Sequence, residues 1–133
     1  MNNIKKSIVI VGSGFGGINA ALHLKENNPE FSILVIDSKS QFEFKPLLYE
    51  VFSDEMKSWE VNPSFDSIYA SSGITFIQNH VNFIDFEKKV LTLQDDLNIE
   101  FKYLILSTGS SPNDFSIKGV KEYCSFFHLN FAK

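Results

Sequence analysis

The hydrophobic pattern opens with Ile8-Val9-Ile10-Val11, an unbroken β-branched run of the kind a parallel strand shows when both its faces are covered. Gly12-Ser13-Gly14-Phe15-Gly16-Gly17 follows with no linker, and Ile18, Ala21, Leu22 and Lys25 then recur at helical spacing. Asn27-Asn28-Pro29 stops that helix, because proline cannot continue it and restrains the residue before it. Ile33-Leu34-Val35-Ile36 predicts a second buried strand ending at Asp37. Strand, glycine turn, helix and strand in succession predict a βαβ unit over residues 1–37.

Residues 38–73 break the regular pattern. Phe42, Phe44, Leu47, Leu48, Tyr49, Val51, Phe52 and Trp59 are interleaved with charges, as in a long apolar loop that covers something. Asn62-Pro63, then Phe65, Ile68, Tyr69 and Gly73, predict a short helix with asparagine as N-cap, proline at the first helical position and glycine as the stop. Short strand-like runs fill residues 74–109: Ile74–Gln78, Val81–Phe86, Val90–Leu93, Ile99–Lys102 and Tyr103–Ser107. Glu87-Lys88-Lys89 and Asp95-Asp96-Leu97-Asn98 supply polar turns between them. These runs predict an antiparallel meander feeding back into one more buried strand, Tyr103–Leu106. Residues 110–133 begin a further region, with turns at Pro112 and Gly119. The expected class is α/β, a Rossmann-like βαβ unit with an inserted antiparallel meander, in one partial domain spanning 1–133.

The glycine turn carries specific chemistry. In Gly12-x-Gly14-x-x-Gly17 the first glycine permits the tight turn, the second lets backbone approach a pyrophosphate, and the third allows close helix–strand packing. A pyrophosphate there meets free backbone N–H groups and the positive end of the helix dipole. Asp37 lies 20 residues after Gly17, placed to accept hydrogen bonds from adenosine ribose hydroxyls and to repel a 2′-phosphate. The unit by itself leaves NAD and FAD both open. A helix-packing turn with no ligand is the bland alternative, and it gives no reason for Gly14 and Gly16.

Composition narrows the field. The chain has 133 residues, fourteen of them phenylalanine, and its twelve basic residues are all lysine against sixteen acids, for a net charge of −4. An acidic chain with no guanidinium fork argues against a nucleic-acid partner. The single Cys124 excludes an internal disulfide, a Cys-x-x-Cys pair and a thiolate zinc site, and is expected to be a buried or inert thiol. His23, His80 and His128 lack metal-ligand spacing, so no metal is expected. No apolar run approaches the roughly 18 residues of a membrane span, and a soluble, cytoplasmic protein is expected.

Ile8–Gly17, Val35-Ile36-Asp37, Phe44-Lys45-Pro46-Leu47-Leu48-Tyr49-Glu50-Val51 and Leu104–Gly109 together resemble type II NADH:quinone oxidoreductases, and more broadly the pyridine nucleotide–disulfide oxidoreductase superfamily. The resemblance implies FAD as cofactor. Gly12, Ser13, Gly14, Phe15, Gly16 and Gly17 would hold its pyrophosphate and Asp37 its adenosine ribose. Val81 would meet the adenine edge through its backbone, Thr108 and Gly109 would pack their turn against the dinucleotide, and Lys45, Pro46 and Leu47 would lie near the flavin. Ser107 stands where such proteins more often have alanine.

The resemblance covers only the amino-terminal part of that fold. Neither a second glycine fingerprint for NADH nor the returning Gly-Asp turn occurs among the seven glycines. The expectation is therefore a sheet lacking its returning strand and a chain inactive alone, with NADH and quinone as partners only if a missing half is supplied. In the complete family the enzyme sits peripherally on the inner face of the membrane. Two alternatives remain: a non-catalytic remnant or interaction module pairing with another chain through the exposed apolar loop 42–52, and a small NAD-binding module.

Overall fold

A computed structural model describes residues 7–111 and 113–124. Strands β1 (Ser7–Val11) and β2 (Ser32–Asp37) pair in parallel, Ile8 opposite Ile33 and Val11 opposite Ile36. Helix α1 (Phe15–Asn27) connects them, and its last turn closes where proline predicted, with the Asn28 N–H donating to the Leu24 carbonyl at 2.8 Å. The Lys25 ammonium then donates to the carbonyls of Pro29 and Phe31, at 3.3 and 3.2 Å, holding the return to β2. Gly17 and Ala21 are the buried residues of α1, with Ile18, Ala20 and Leu24 packed around them. Leu22, expected on this face, is 40% exposed instead. The contact stripe follows two small residues, Gly17 and Ala21, which let the helix approach the sheet closely.

Strand β3 (Thr75–Gln78) pairs in parallel with β2, and β7 (Tyr103–Leu106) pairs in parallel with β1, giving the order β3-β2-β1-β7. The segment 74–78 thus joins the parallel sheet rather than the meander. Its residues explain this, since Phe76 packs with the helix-side core and Ile77 with the opposite one, and only a strand covered on both faces uses both. The meander consists of β4 (Val81–Asp85), β5 (Val90–Leu93) and β6 (Asn98–Glu100), paired antiparallel. Lys89 and Asp96 turn its corners with φ of 55° and 62°. Strand β7 was expected to be buried but forms an edge, with Tyr103 51% and Leu106 54% exposed.

Alternation along the strands sorts the apolar residues into two cores. Ile8, Ile10, Ile33 and Val35 face α1 and α3 (Phe65–Tyr69), where Ala21, Phe65 and Tyr69 are buried. Val9, Val11 and Ile36 face the meander and meet Leu91, Leu93 and Phe101. Helices, parallel sheet and meander make three layers.

The irregular segment is more ordered than its sequence implies. Lys45–Leu47 form a 3-10 turn with proline at its start, and α2 (Leu48–Phe52) follows with Leu48 buried. One short turn of helix is too brief to leave a legible period. The loop folds on itself through the N–H groups of Phe42 and Phe44, which donate to Pro63 and Val61 at 2.9 and 3.0 Å. Of the large apolar side chains in the stretch 42–52, Tyr49 and Phe52 stay exposed. Helix α3 is capped by Ser64, whose Oγ accepts from the Ser67 N–H at 3.2 Å. Asn62, expected in that role, donates its amide to Gln41 Oε1 at 3.0 Å instead. A last short helix, α4 (Val120–Tyr123), follows Gly119 with φ +89°, and Cys124 beyond it is exposed rather than buried. Pro112 and His128 lie outside the described residues.

Gly17 is the tightest joint of the fold. A Cβ there would run into the Gly12 carbonyl oxygen and come within 2.8 Å of Ser107 Oγ. Gly17→Ala is accordingly expected to destabilise by about 2–3 kcal/mol, lowering the midpoint of thermal unfolding by on the order of 10 °C. A midpoint unchanged within a degree would show that this contact does not constrain the packing.

Candidate functional site: the mouth of the first crossover

β1 carries the chain to the centre of the sheet, and its carboxyl end releases it into the glycine turn. Gly12 takes φ +96° and donates its N–H to the Ile36 carbonyl at 2.8 Å. A side chain at Gly12 would strike the Ser107 carbonyl, so the turn between β1 and α1 lies directly against the end of β7. Ser107 Oγ secures that contact, donating to the Gly12 carbonyl at 2.7 Å with the Val11 carbonyl at 3.2 Å. Thr108 continues along the same contact, and Gly109 (φ +73°) is exposed with open space around it.

Gly14 and Gly16 behave differently. Gly14 is the N-cap of α1 in an ordinary extended conformation, and a Cβ built on it meets nothing within 4 Å. At Gly16 the nearest contact would be Ser107 Cβ at 3.8 Å, an ordinary distance. The fold requires glycine at positions 12 and 17; at 14 and 16 it does not. The first intrahelical bond runs from the Ile18 N–H to the Gly14 carbonyl at 3.0 Å, so the N–H groups of Phe15, Gly16 and Gly17 precede the ladder. No acidic side chain occupies the first turn and no side chain caps it, so the positive end of the helix is not neutralised by its own first turn and could accept an anion.

Asp37 faces this mouth. Its Oδ2 accepts from the Ser13 N–H at 2.6 Å and its Oδ1 from the Lys39 N–H at 2.9 Å. Ser13 itself is fully buried, with its hydroxyl 2.7 Å from Tyr69 Oη. Burial raises the Tyr69 phenol above its usual range; the Ser13 hydrogen bond opposes that shift and the Asp37 charge adds to it. The phenol therefore stays protonated at neutral pH.

The remaining predicted residues frame the mouth at different distances from it. The Phe15 ring packs edgewise on Phe42 and Phe44, with centroids 4.9 and 5.3 Å away, which ties the loop to the helix start. Lys45 and Pro46 are exposed in the 3-10 turn just after Phe44. Val81 opens β4 and packs on the meander-side core. Between it and Asp37 lies a polar hollow of 350 Å³ lined by Ser38, Gln78, Asn79, His80, Gln94 and Asp95, with the Asn79 N–H bonded to the Asp37 carbonyl at 2.9 Å. A larger hollow of 620 Å³ opens at the amino ends of the strands, beside Ser7, Ser32 and Thr75. It lies at the wrong end for the glycine turn, since open α/β sheets bind ligands outside the carboxyl ends. Among the described residues no cluster of three or more His, Cys, Asp or Glu side chains could hold a metal.

Sequence reasoning missed Tyr69 and the hydroxyl of Ser107 as parts of this site. Both partnerships span long sequence separations, and Tyr69 stands in the pattern only as one apolar position of a short helix.

Residues 6–132 match the pyridine nucleotide-disulphide oxidoreductase family. Demethylphylloquinone reductase NdbB from Synechocystis sp. is 35% identical over 92% of this chain and 32% of its own length. Type II NADH:quinone oxidoreductase from Haemophilus influenzae is 29% identical over 91% of this chain and 30% of its own. Among solved structures, sulfide:quinone oxidoreductase from Aquifex aeolicus superposes with a TM-score of 0.81 at 27% identity, covering 88% of this chain and 27% of that one. The chain thus spans about a third of the length of the relatives it matches. Proteins of this family and its NADH:quinone oxidoreductase members are FAD-dependent flavoproteins. The match runs through the crossover, the meander and the strand that follows it, and on that ground the chain belongs to the pyridine nucleotide-disulphide oxidoreductase family.

Proposed function

We propose that this chain is the FAD-binding portion of a flavin-dependent oxidoreductase that passes electrons from NADH to a quinone. The observation that carries the proposal is the pair of glycines the fold does not need, Gly14 and Gly16, at a helix start with no acid of its own and with Asp37 alongside. A pyrophosphate approaching unprotected backbone accounts for them. On this reading Gly12 to Gly17 hold the pyrophosphate, and Asp37 accepts from the adenosine ribose. Thr108 and Gly109 flank the dinucleotide, Val81 borders its adenine end, and Lys45 and Pro46 stand toward the flavin. FAD, once bound, supplies the capacity to take a hydride and release its electrons. The residues of this chain bind it, orient it and shield one side from water.

Quinone as acceptor is the element common to the names of the three similar proteins; among these three, the name of the type II relative supplies NADH as donor. The residues matched here cover one dinucleotide mouth, so turnover of NADH is assigned to the complete protein, not to this span. A quinone is lipid-soluble, which supports a peripheral position at a membrane for that protein; the inner face follows only from the resemblance. No helix among the described residues is long and apolar enough to cross one.

Calorimetry and flavin absorbance on the purified chain test the proposal. FAD is expected to bind more tightly than NADH, with no NADH oxidation when a soluble quinone is added. Tighter binding of NADH would instead favour a small NAD-binding module. Gly14→Ala is expected to shift the thermal midpoint by only a few degrees while weakening FAD by about tenfold, because the added methyl occupies space the fold leaves open. Gly16→Ala is expected to raise stability by about 0.5–1 kcal/mol through better helix propensity, again with weaker FAD. If both variants keep full FAD affinity, these glycines do not form the cradle.

A further inference from the structure

Tyr69 ends α3, on an element that contributes nothing else to the mouth. Its ring has an ordinary explanation, packing against Phe65 and Phe76 with centroids 6.5 and 6.1 Å away. The hydroxyl is not explained by packing, since phenylalanine would fill the same space. It sits 2.7 Å from Ser13 Oγ, inside a core where Ser13 has no exposure at all. Ser13 in turn donates its N–H to Asp37 Oδ2 at 2.6 Å, and the Lys39 N–H fixes Oδ1 at 2.9 Å. A continuous path of hydrogen bonds and one peptide therefore runs from Tyr69 through the glycine turn to the carboxylate. A carboxylate has about four lone-pair sites, so with one donor on each oxygen it keeps capacity for a ligand hydroxyl.

We propose that Tyr69 is a positioning residue for dinucleotide binding. Through Ser13 it fixes the peptide between Gly12 and Ser13, and the N–H of that peptide orients Asp37 toward the ribose diol. The assignment rests on the proposed dinucleotide reading and extends it to a residue remote from the fingerprint. Loss of the hydroxyl would leave Ser13 Oγ buried without a partner and release the turn to rearrange, because an unsatisfied buried polar group is costly.

The decisive readout is the preference for ADP over 2′-deoxy-ADP, measured by calorimetry on the full 133-residue chain and on Tyr69→Phe, Ser13→Ala and the double variant. A change in general stability alone would leave that ratio unmoved. Tyr69→Phe is expected to weaken FAD by about tenfold and to shrink the ADP preference by roughly threefold or more. Ser13→Ala, which keeps every core ring in place, is expected to shrink the preference likewise. The double variant removes the orphaned hydroxyl and is expected to regain thermal stability without regaining the preference. If the parent binds FAD and ADP and both single variants keep its ratio, Tyr69 is only a core residue and the assignment is overturned. A parent that binds neither ligand overturns the dinucleotide reading together with it.

Discussion

The structure depends on one close approach: the glycine turn at the end of β1 lies against the first turn of α1 on one side and the end of β7 on the other. Gly12 and Gly17 meet there with no room for a methyl on either, and Ser107 closes the triangle with its bond to the Gly12 carbonyl. Three elements distant in sequence are held at one point by backbone. The consequence is directional. α1 is pressed closely onto the sheet at Gly17, no side chain of the protein caps its start, and the N–H groups of its first turn open at the carboxyl ends of the strands.

The layering follows from the same joint. Once β1 sits between β2 and β7, its odd and even residues must face different cores, and they do: Ile8 and Ile10 toward the helices, Val9 and Val11 toward the meander. The meander covers one face with three short strands rather than a second helix, and so leaves the helix side to α1 and α3 alone. This is why Tyr69 lies within reach of Ser13. The neighbouring positions of β1 and β7 also mark where the strand order reverses, the switch point at which doubly wound sheets bind nucleotides.

How much of this the sequence displays varies with the range of the interaction. The first crossover was legible because each part is local: a β-branched run, glycines at fixed spacing, a proline stop and a carboxylate at the next strand's end. β3 was misassigned because a four-residue apolar run carries no sign of whether its partner is parallel or antiparallel; the intervening α3 decides it. Leu22 was misplaced because spacing identifies a helical face only to within one side chain, and close packing selected Gly17 and Ala21. The Ser13–Tyr69 hydroxyl pair and the bond from the Ser107 hydroxyl to the Gly12 carbonyl join residues 56 and 95 positions apart, which no window along the chain can display.

The fingerprint divides into two classes once the fold is known. Gly12 and Gly17 would be glycine in any protein that packs a helix this tightly on a strand, with or without a ligand. Gly14 and Gly16 sit in conformations any residue can adopt, with no backbone crowding their missing side chains. In a helix interior glycine is disfavoured relative to alanine by up to about 1 kcal/mol, and no crowding around Gly16, in the first turn, calls for it. The proposed dinucleotide supplies the reason for it that the fold does not. Asp37 already accepts from the Ser13 N–H of this turn, and the proposed reading asks for a ligand with hydroxyls toward that carboxylate and negative charge toward the helix start. A nucleoside diphosphate meets both conditions within a single molecule.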